Sequence, residues 1–305
     1  MTTRSPWSRI ATRPTDRGTR LDRFLQEALA PISRKRVKRI LDDGRVRIEG
    51  RPARRAGLIL TGVEMIEVQG IPNPEPPGRL TDAQLLHVDP TLVVVDKPAG
   101  LRMHAVDAED SNHLVALVAQ ELQAREGMEA PPALHIVSRL DKETSGVVVL
   151  ARSQTAAAAL TEAFTRRRVH KVYRAVVHGR PPRDQGLVSA PIGPVGRGRF
   201  AVTRLGKPAH TRYQVLATDE TMTHLRLHPE TGRPHQIRVH LATIGTPIVG
   251  DLFYGGRRVE GVLRALLHAQ SISLPHPNTG ETVTFSAPLP VDLVLVLQQR
   301  GFDWA

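Results

Sequence analysis

The segment Ser138-Arg139-Leu140-Asp141-Lys142-Glu143-Thr144-Ser145-Gly146 is where residue types and spacing most clearly permit chemistry. One carboxylate, Asp141, sits between two cations, Arg139 and Lys142. The chain then runs straight into Val147-Val148-Val149-Leu150, the pattern of a buried strand. A carboxylate in a loop that ends on a Gly-initiated strand is carried by a rigid element, as a nucleophile requires. Taken alone, the same segment is also an ordinary turn with a surface salt bridge, and composition does not separate the two. Other chemistries have less support. The chain contains no Cys, which excludes thiolate nucleophiles, thiolate metal sites and disulfides. Among the 13 His, His235 and His240 do not share a helix face, and no His-Glu-x-x-His occurs. Glu143-Thr144-Ser145-Gly146 lacks the Gly-x-Ser-x-Gly elbow of serine hydrolases. A catalytic metal is not expected.

The elements that must position Asp141 lie in the second of two expected domains. Residues 1–18 are polar and basic without periodicity, the pattern of a flexible tail. Over 19–69 a compact unit is expected. Leu21, Phe24, Leu25 and Leu29 recur at helical spacing and Pro31 closes that helix; Ser33 caps a second one through Val37, Ile40 and Leu41. Alternation at Val46 and Ile48, then Leu58-Ile59-Leu60 and a run through Val63 and Ile66, predicts a small sheet. Pro and Gly from Gly70 to Gly78 mark a linker, placed at 70–83. Residues 84–305 form the second domain, with strands at Leu92–Val95, Val147–Leu150, Lys171–Val177, Arg212–Leu216 and Leu267–Leu274. Helices are expected at Leu114–Arg125, Gln154–Arg167 and Pro234–Ile244. Strands outnumber helices and do not alternate with them. The fold class is therefore α+β, with a mixed, largely antiparallel sheet and a small N-terminal α/β unit. Gly186–Gly206, rich in Gly, Pro and Arg, has the composition of an exposed insertion between strands.

Charge narrows the partner. The 305 residues carry a formal net charge of +12, and residues 1–70 hold sixteen Lys/Arg against eight Asp/Glu. Such an excess favours a polyanion. In Ser33-Arg34-Lys35-Arg36-Val37-Lys38-Arg39 the cations Arg34, Lys35, Arg36, Lys38 and Arg39 surround an apolar stripe, so one helix face can pack while the other meets phosphates without reading bases. No signal core or membrane-length apolar run occurs, so a soluble, unsecreted protein with no membrane partner is expected; the absence of Cys fits a cytoplasmic location, and a monomer is expected.

Residues 19–69 resemble the alpha-L-type RNA-binding domain found in a small-subunit ribosomal protein and in many RNA enzymes. They depart from it at Glu49-Gly50, where Asn-Gly is frequent, and at Gly62-Val63-Glu64, where Gly-Asp is usual. The aspartate loop, written Arg-Leu-Asp-x-x-Thr-Ser-Gly, resembles the signature of the RluA-type RNA pseudouridine synthases. The same family's order continues through Val95-Asp96-Lys97-Pro98-Ala99-Gly100-Leu101 with His104, Lys171-Val172-Tyr173-Arg174-Ala175, and Thr231-Gly232-Arg233-Pro234-His235-Gln236-Ile237-Arg238-Val239-His240-Leu241. It goes on through Pro247-Ile248-Val249-Gly250-Asp251, Tyr254-Gly255-Gly256, Leu267-His268-Ala269 and His276-Pro277.

The resemblance implies isomerisation of a uridine in structured RNA without a cofactor. Ribosomal RNA of the large subunit is the favoured substrate and transfer RNA the alternative. It implies Asp141 as nucleophile on ribose or base, Tyr173 stacked on the uracil, and Arg238 paired with Asp141. Arg139 would fill the space left by the flipped nucleotide. Arg233 and His235, where a Gly turn enters a helix, would meet phosphate or cap the helix. Ser138 stands where this family usually has His. A non-catalytic RNA-binding or ribosome-assembly factor on the same fold is the competing function.

Overall fold

The computed structural model describes residues 7–12, 14–28, 34–69, 80, 84–105, 112–196, 198–257, 259 and 262–303. The chain divides into two units, Met1–Glu75 with Val259–Leu263, and Pro76–Arg258 with Arg264–Ala305.

The first unit contains β1 (Trp7–Ala11), α1 (Leu21–Ala28), α2 (Arg34–Asp42), β2 (Val46–Ile48), β3 (Arg51–Pro52) and β4 (Met65–Gln69), with its sheet in the order β1-β4-β2-β3. Leu21, Phe24 and Leu25 of α1 and Val37, Ile40 and Leu41 of α2 fall on the inner face of their helices. They share one core with Val46, Leu60, Ile66 and Val68. The expected tail is corrected at Trp7–Ala11, which pairs in antiparallel register with Met65–Gln69. Its polar residues hide the strand from a periodicity argument, but Ile10 packs against the core and the Arg47 guanidinium lies 4.0 Å over the Trp7 ring. Ile59 makes an isolated bridge with Arg20, and Leu58–Leu60 is not a strand.

Both departures from the alpha-L pattern are absorbed locally. Glu49 takes the left-handed conformation, φ 50, in the two-residue turn with Gly50, φ 75, and its Oε1 accepts the Met65 N–H at 2.6 Å. Glu64 accepts from Thr61 N–H (2.6 Å), Gly62 N–H (2.9 Å) and both threonine hydroxyls, Thr61 and Thr12. Burial opposes its charged form, yet these donors hold its carboxyl down at about 2. The turns that Asn-Gly and Gly-Asp would make are thus made by longer carboxylates. Pro31, the Ser33 cap and the side chains of Lys35 and Arg36 lie outside the described residues, as does the linker apart from Leu80. Leu80 is buried in a second-unit cluster with Val93 and Val95.

The second unit opens with β5 (Leu85–Val88), β6 (Leu92–Lys97), α3 (Leu114–Glu126), β7 (His135–Ile136), β8 (Ser145–Ala151) and α4 (Gln154–Thr165). It continues through β9 (His170–His178), β10 (Gln185–Ser189), β11 (Ile192–Gly196), β12 (Arg199–Val202), β13 (His210–Thr218) and β14 (Met222–Pro229). The last elements are α5 (Gln236–Thr243), β15 (Leu267–Pro275), β16 (Thr282–Ser286) and α6 (Val291–Gln299).

A ten-stranded sheet runs β10-β13-β14-β9-β15-β8-β6-β5, with β16 beside β15 and β7 beside β8. Its pairs are antiparallel except β8 with β15, which run parallel where His268 meets Ser145 and Ala269 meets Gly146. The class is α+β with a mixed, largely antiparallel sheet. Every residue of β8 is buried, because clusters on both faces cover it: Val148 and Leu150 with α3, Val147 and Val149 with α4. Gly186–Gly206 is not simply an insertion. Gln185–Ser189 pairs with β13 at the sheet edge, and β11 and β12 form a hairpin whose Phe200 packs against Val239 of α5. Glycine and proline conceal the strand signal in that stretch. No helix among the described residues is long and apolar enough to cross a membrane.

Candidate active site

The Asp141 loop is pinned by backbone acceptors on both sides. The Lys97 ammonium, fully buried at the end of β6, donates to the carbonyls of Pro98 (3.0 Å), Leu101 (2.9 Å) and Lys142 (3.1 Å). Burial, with the charge of Arg264, pushes this amine down to about 7. Three carbonyls nevertheless match the three donors that only the ammonium has. Arg264 donates to the carbonyls of Glu143 (3.2 Å), Ala265 (3.1 Å) and Leu267 (3.0 Å), while Asp292 holds its other face at 2.6 and 2.9 Å. Ser145 Oγ meets His268 Nδ1 at 3.0 Å, and Leu140 packs into the core beside β8. Gly146 closes the loop at φ 112, where a Cβ would stand 2.1 Å from the Ala269 carbonyl oxygen. No other residue fits there.

Asp141 faces Arg238 of α5. The guanidinium donates from Nη1 to Asp141 Oδ2 at 3.0 Å, and from Nε and Nη2 to the two oxygens of Asp251 at 2.7 and 2.8 Å. Asp251 is 2% exposed, Arg238 12% and Asp141 27%, so the chain of charges runs from the interior to an open carboxylate. Burial alone would lower the Arg238 pKa. The bonds and charge of Asp251, joined by Asp141, raise it above its ordinary value instead. A fork clamped from behind by one carboxylate has its remaining N–H aimed at the other.

Asp141 and Arg238 border a cavity of about 1170 Å³, lined also by Tyr173, Phe200, Arg139 and Arg233. Tyr173 lies on β9; burial, then the charge of Asp141, raise its phenol above the ordinary range, so it stays protonated at neutral pH. Arg139 is exposed at the rim with Lys142, and Ser138 and His104 line the same space. Arg233 donates through Nε to the Pro208 carbonyl at 3.1 Å. His235 Nε2 is 3.8 Å from Asp141 Oδ1. Arg34, Lys38 and Arg39 are exposed on α2 in the first unit. Thus Asp141, Tyr173, Arg238, Arg139, Arg233 and His235 line one cavity.

Four participants carry no role in the sequence analysis. Asp251, Lys97 and Tyr254 sit inside motifs quoted there, but their partners are tertiary or backbone groups. Gln236 stands in the same position: its Oε1 accepts from Arg233 N–H (3.0 Å) and the Thr231 hydroxyl (2.7 Å), and its Nε2 donates to the His210 carbonyl (2.9 Å). Among the described residues no group of three or more His, Cys, Asp or Glu is placed to hold a metal ion.

Residues 91–243 match the family described as RNA pseudouridylate synthase, and residues 19–66 match the S4 domain. An RNA pseudouridine synthase of Chloroflexus aurantiacus is 40% identical over 95% of this chain and 92% of its own length. Ribosomal large subunit pseudouridine synthase D of Pseudomonas aeruginosa is 35% identical over 92% of this chain and 91% of its own. Among solved structures, human RNA pseudouridylate synthase domain containing 4 superposes with a TM-score of 0.60 at 30% identity, over 72% of this chain and 94% of the other. The chain belongs to the RNA pseudouridylate synthase family, RluA type, and is an RNA-binding isomerase with an N-terminal S4 domain.

Proposed function

We propose that this pseudouridine synthase modifies uridine in large-subunit ribosomal RNA and that Asp141 is its nucleophile. The observation that carries the mechanism is the Asp251–Arg238–Asp141 chain at the cavity, which orients one open carboxylate and no other. Asp141 attacks the flipped nucleotide and the bond from ribose to uracil nitrogen breaks. The uracil turns within the cavity and rebonds through carbon, and the bond from Asp141 to the nucleotide breaks, which frees the carboxylate. The carbon gives up a proton and the freed nitrogen gains one, so composition and oxidation state are unchanged. Tyr173, held as a phenol, stacks on the uracil and can donate a hydrogen bond to it; it is too weak an acid to start as a base. Arg139, exposed at the rim, enters the gap left in the RNA stack. Arg233 and the α2 cations Arg34, Lys38 and Arg39 meet phosphates.

The substrate assignment is supported by relatives of Pseudomonas aeruginosa, Vibrio parahaemolyticus and Xanthomonas campestris, each named ribosomal large subunit pseudouridine synthase D. The test is a map of pseudouridines in total RNA from cells with and without the gene. A large-subunit site that disappears, and returns with wild type but not with Asp141→Asn, is the expected result. A lost site in transfer RNA would overturn the substrate.

A further inference from the structure

His235 enters α5 from a left-handed conformation, φ 55 and ψ 18, and makes no capping bond with its side chain. A residue with a Cβ pays of order 1 kcal/mol for this conformation. Such an outlier beside a reactive carboxylate points to a role. Capping is not that role, because Gln236 secures the turn instead. The His235 ring is enclosed edge-on by Phe200, Tyr254 and Phe253, with centroids at 5.5, 5.6 and 6.1 Å. Its Nδ1 lies 2.6 Å from Tyr254 Oη, and that oxygen already accepts the Phe200 N–H at 3.1 Å. With the Phe200 N–H accepted, the phenol hydrogen can go to Nδ1, 2.6 Å away. A neutral imidazole that accepts at Nδ1 carries its hydrogen on Nε2. Nε2 lies 3.8 Å from Asp141 Oδ1, the oxygen that Arg238 does not hold.

We propose that His235, locked as its Nε2–H tautomer by Tyr254, is a positioning residue that holds the second oxygen of Asp141 when RNA fills the cavity. This inference rests on Asp141 being the nucleophile. At 3.8 Å the contact is longer than a hydrogen bond, and a closure of about 1 Å completes one. With Arg238 on Oδ2 and His235 on Oδ1, the carboxylate plane is fixed at two points. A neutral donor suits this position better than a second cation, which would draw charge from the attacking oxygen. Burial holds the imidazole below its ordinary value, opposed by Asp141, aided by Arg238 and opposed again by Asp251.

The test is single-turnover conversion of a large-subunit ribosomal RNA transcript by the full chain, with RNA affinity measured in parallel. His235→Asn keeps the left-handed backbone, which Asn tolerates, and removes the ring. It should slow conversion about 100-fold with affinity unchanged, as a misplaced reacting group does. His235→Gln, whose carboxamide N–H reaches one methylene further than that of Asn, should recover much of the rate. Tyr254→Phe should lose about 10-fold, and the double variant should be no slower than His235→Asn, since both act on one contact. Weakened RNA binding with an unchanged rate constant would overturn the proposal in favour of a phosphate contact, and so would multiplicative losses. If His235→Asn fails to fold, Tyr254→Phe alone decides, because full activity there contradicts the lock. Asp141→Asn in the same assay separates the layers. An inactive Asp141→Asn beside a fully active His235→Asn refutes only this inference, whereas an active Asp141→Asn refutes the nucleophile beneath it.

Discussion

Arg238 spends three N–H groups on two carboxylates, and this geometry distinguishes it from any lysine. Arg238→Lys should therefore lower the single-turnover rate about 100-fold while RNA affinity stays within a few-fold. Equal losses in rate and affinity would instead mark Arg238 as an RNA contact. Asp251 lies deeper and should matter for stability as well. Asp251→Asn leaves a buried guanidinium with one charged partner, and a chemical melt should show a loss of about 3 kcal/mol. An unchanged midpoint would contradict the clamp. At this scale the residues proposed to act on the nucleotide were easier to read in the sequence than those that hold them. Asp141, Tyr173 and Arg238 stand in dense motifs, whereas the Asp251–Arg238 pair spans 13 residues and is visible only once α5 and the following turn are folded. Ser138 lines the cavity where the family usually has His, and none of the bonds that hold Asp141 depends on it.

The elements fix the Asp141 loop through backbone bonds, which leave almost no trace in residue patterns. Lys97 stands in a motif of the sequence but carries no visible role there. In the fold its ammonium is the common anchor of Pro98, Leu101 and Lys142. Lys97→Met fills the space but takes the ammonium donor from the buried Leu101 carbonyl and the part-buried Pro98 carbonyl, while the Lys142 carbonyl keeps the Gly100 N–H; a buried acceptor left without a partner costs about 1–3 kcal/mol. The substitution should lower the melting midpoint and reduce conversion; a variant as stable and as active as wild type would refute the anchor. The long strands and helices around the loop were legible because β8 and β9 are buried runs and α3 and α4 keep helical spacing. The strand β10 and the hairpin β11–β12 were not, because Gly186, Gly193, Pro194 and Gly196 supply no side-chain alternation to read. Likewise β1 exists by pairing with β4 rather than by its own composition.

Over the whole molecule two properties follow from groups far apart in sequence. The first unit presents exposed Arg34, Lys38 and Arg39 on a helix whose other face is core. Removing residues 1–69 should weaken RNA binding and flatten its dependence on salt, because fewer phosphates are neutralised; an unchanged slope would assign the phosphate contacts elsewhere. The second property is acid sensitivity. Burial depresses His268, which bridges Ser145 and the Ala287 carbonyl, and His224, each from 6.5 to about 4. A folded-state pKa below the unfolded one means that the unfolded chain takes up protons first. Stability is therefore full above about pH 6.5 and falls toward pH 4, by up to about 1.4 kcal/mol per pH unit for each histidine. Thermal melts across that window should show the decline, and a flat profile would show that these rings are not buried neutral.

The most direct test of the nucleophile is release of tritium from uridine labelled at C5 in a large-subunit ribosomal RNA transcript. The assay compares purified wild type with Asp141→Asn, each with its RNA affinity measured. If Asp141 attacks the nucleotide, the variant binds RNA within a few-fold of wild type and releases no tritium. Release near the wild-type rate by Asp141→Asn would contradict the account at its centre.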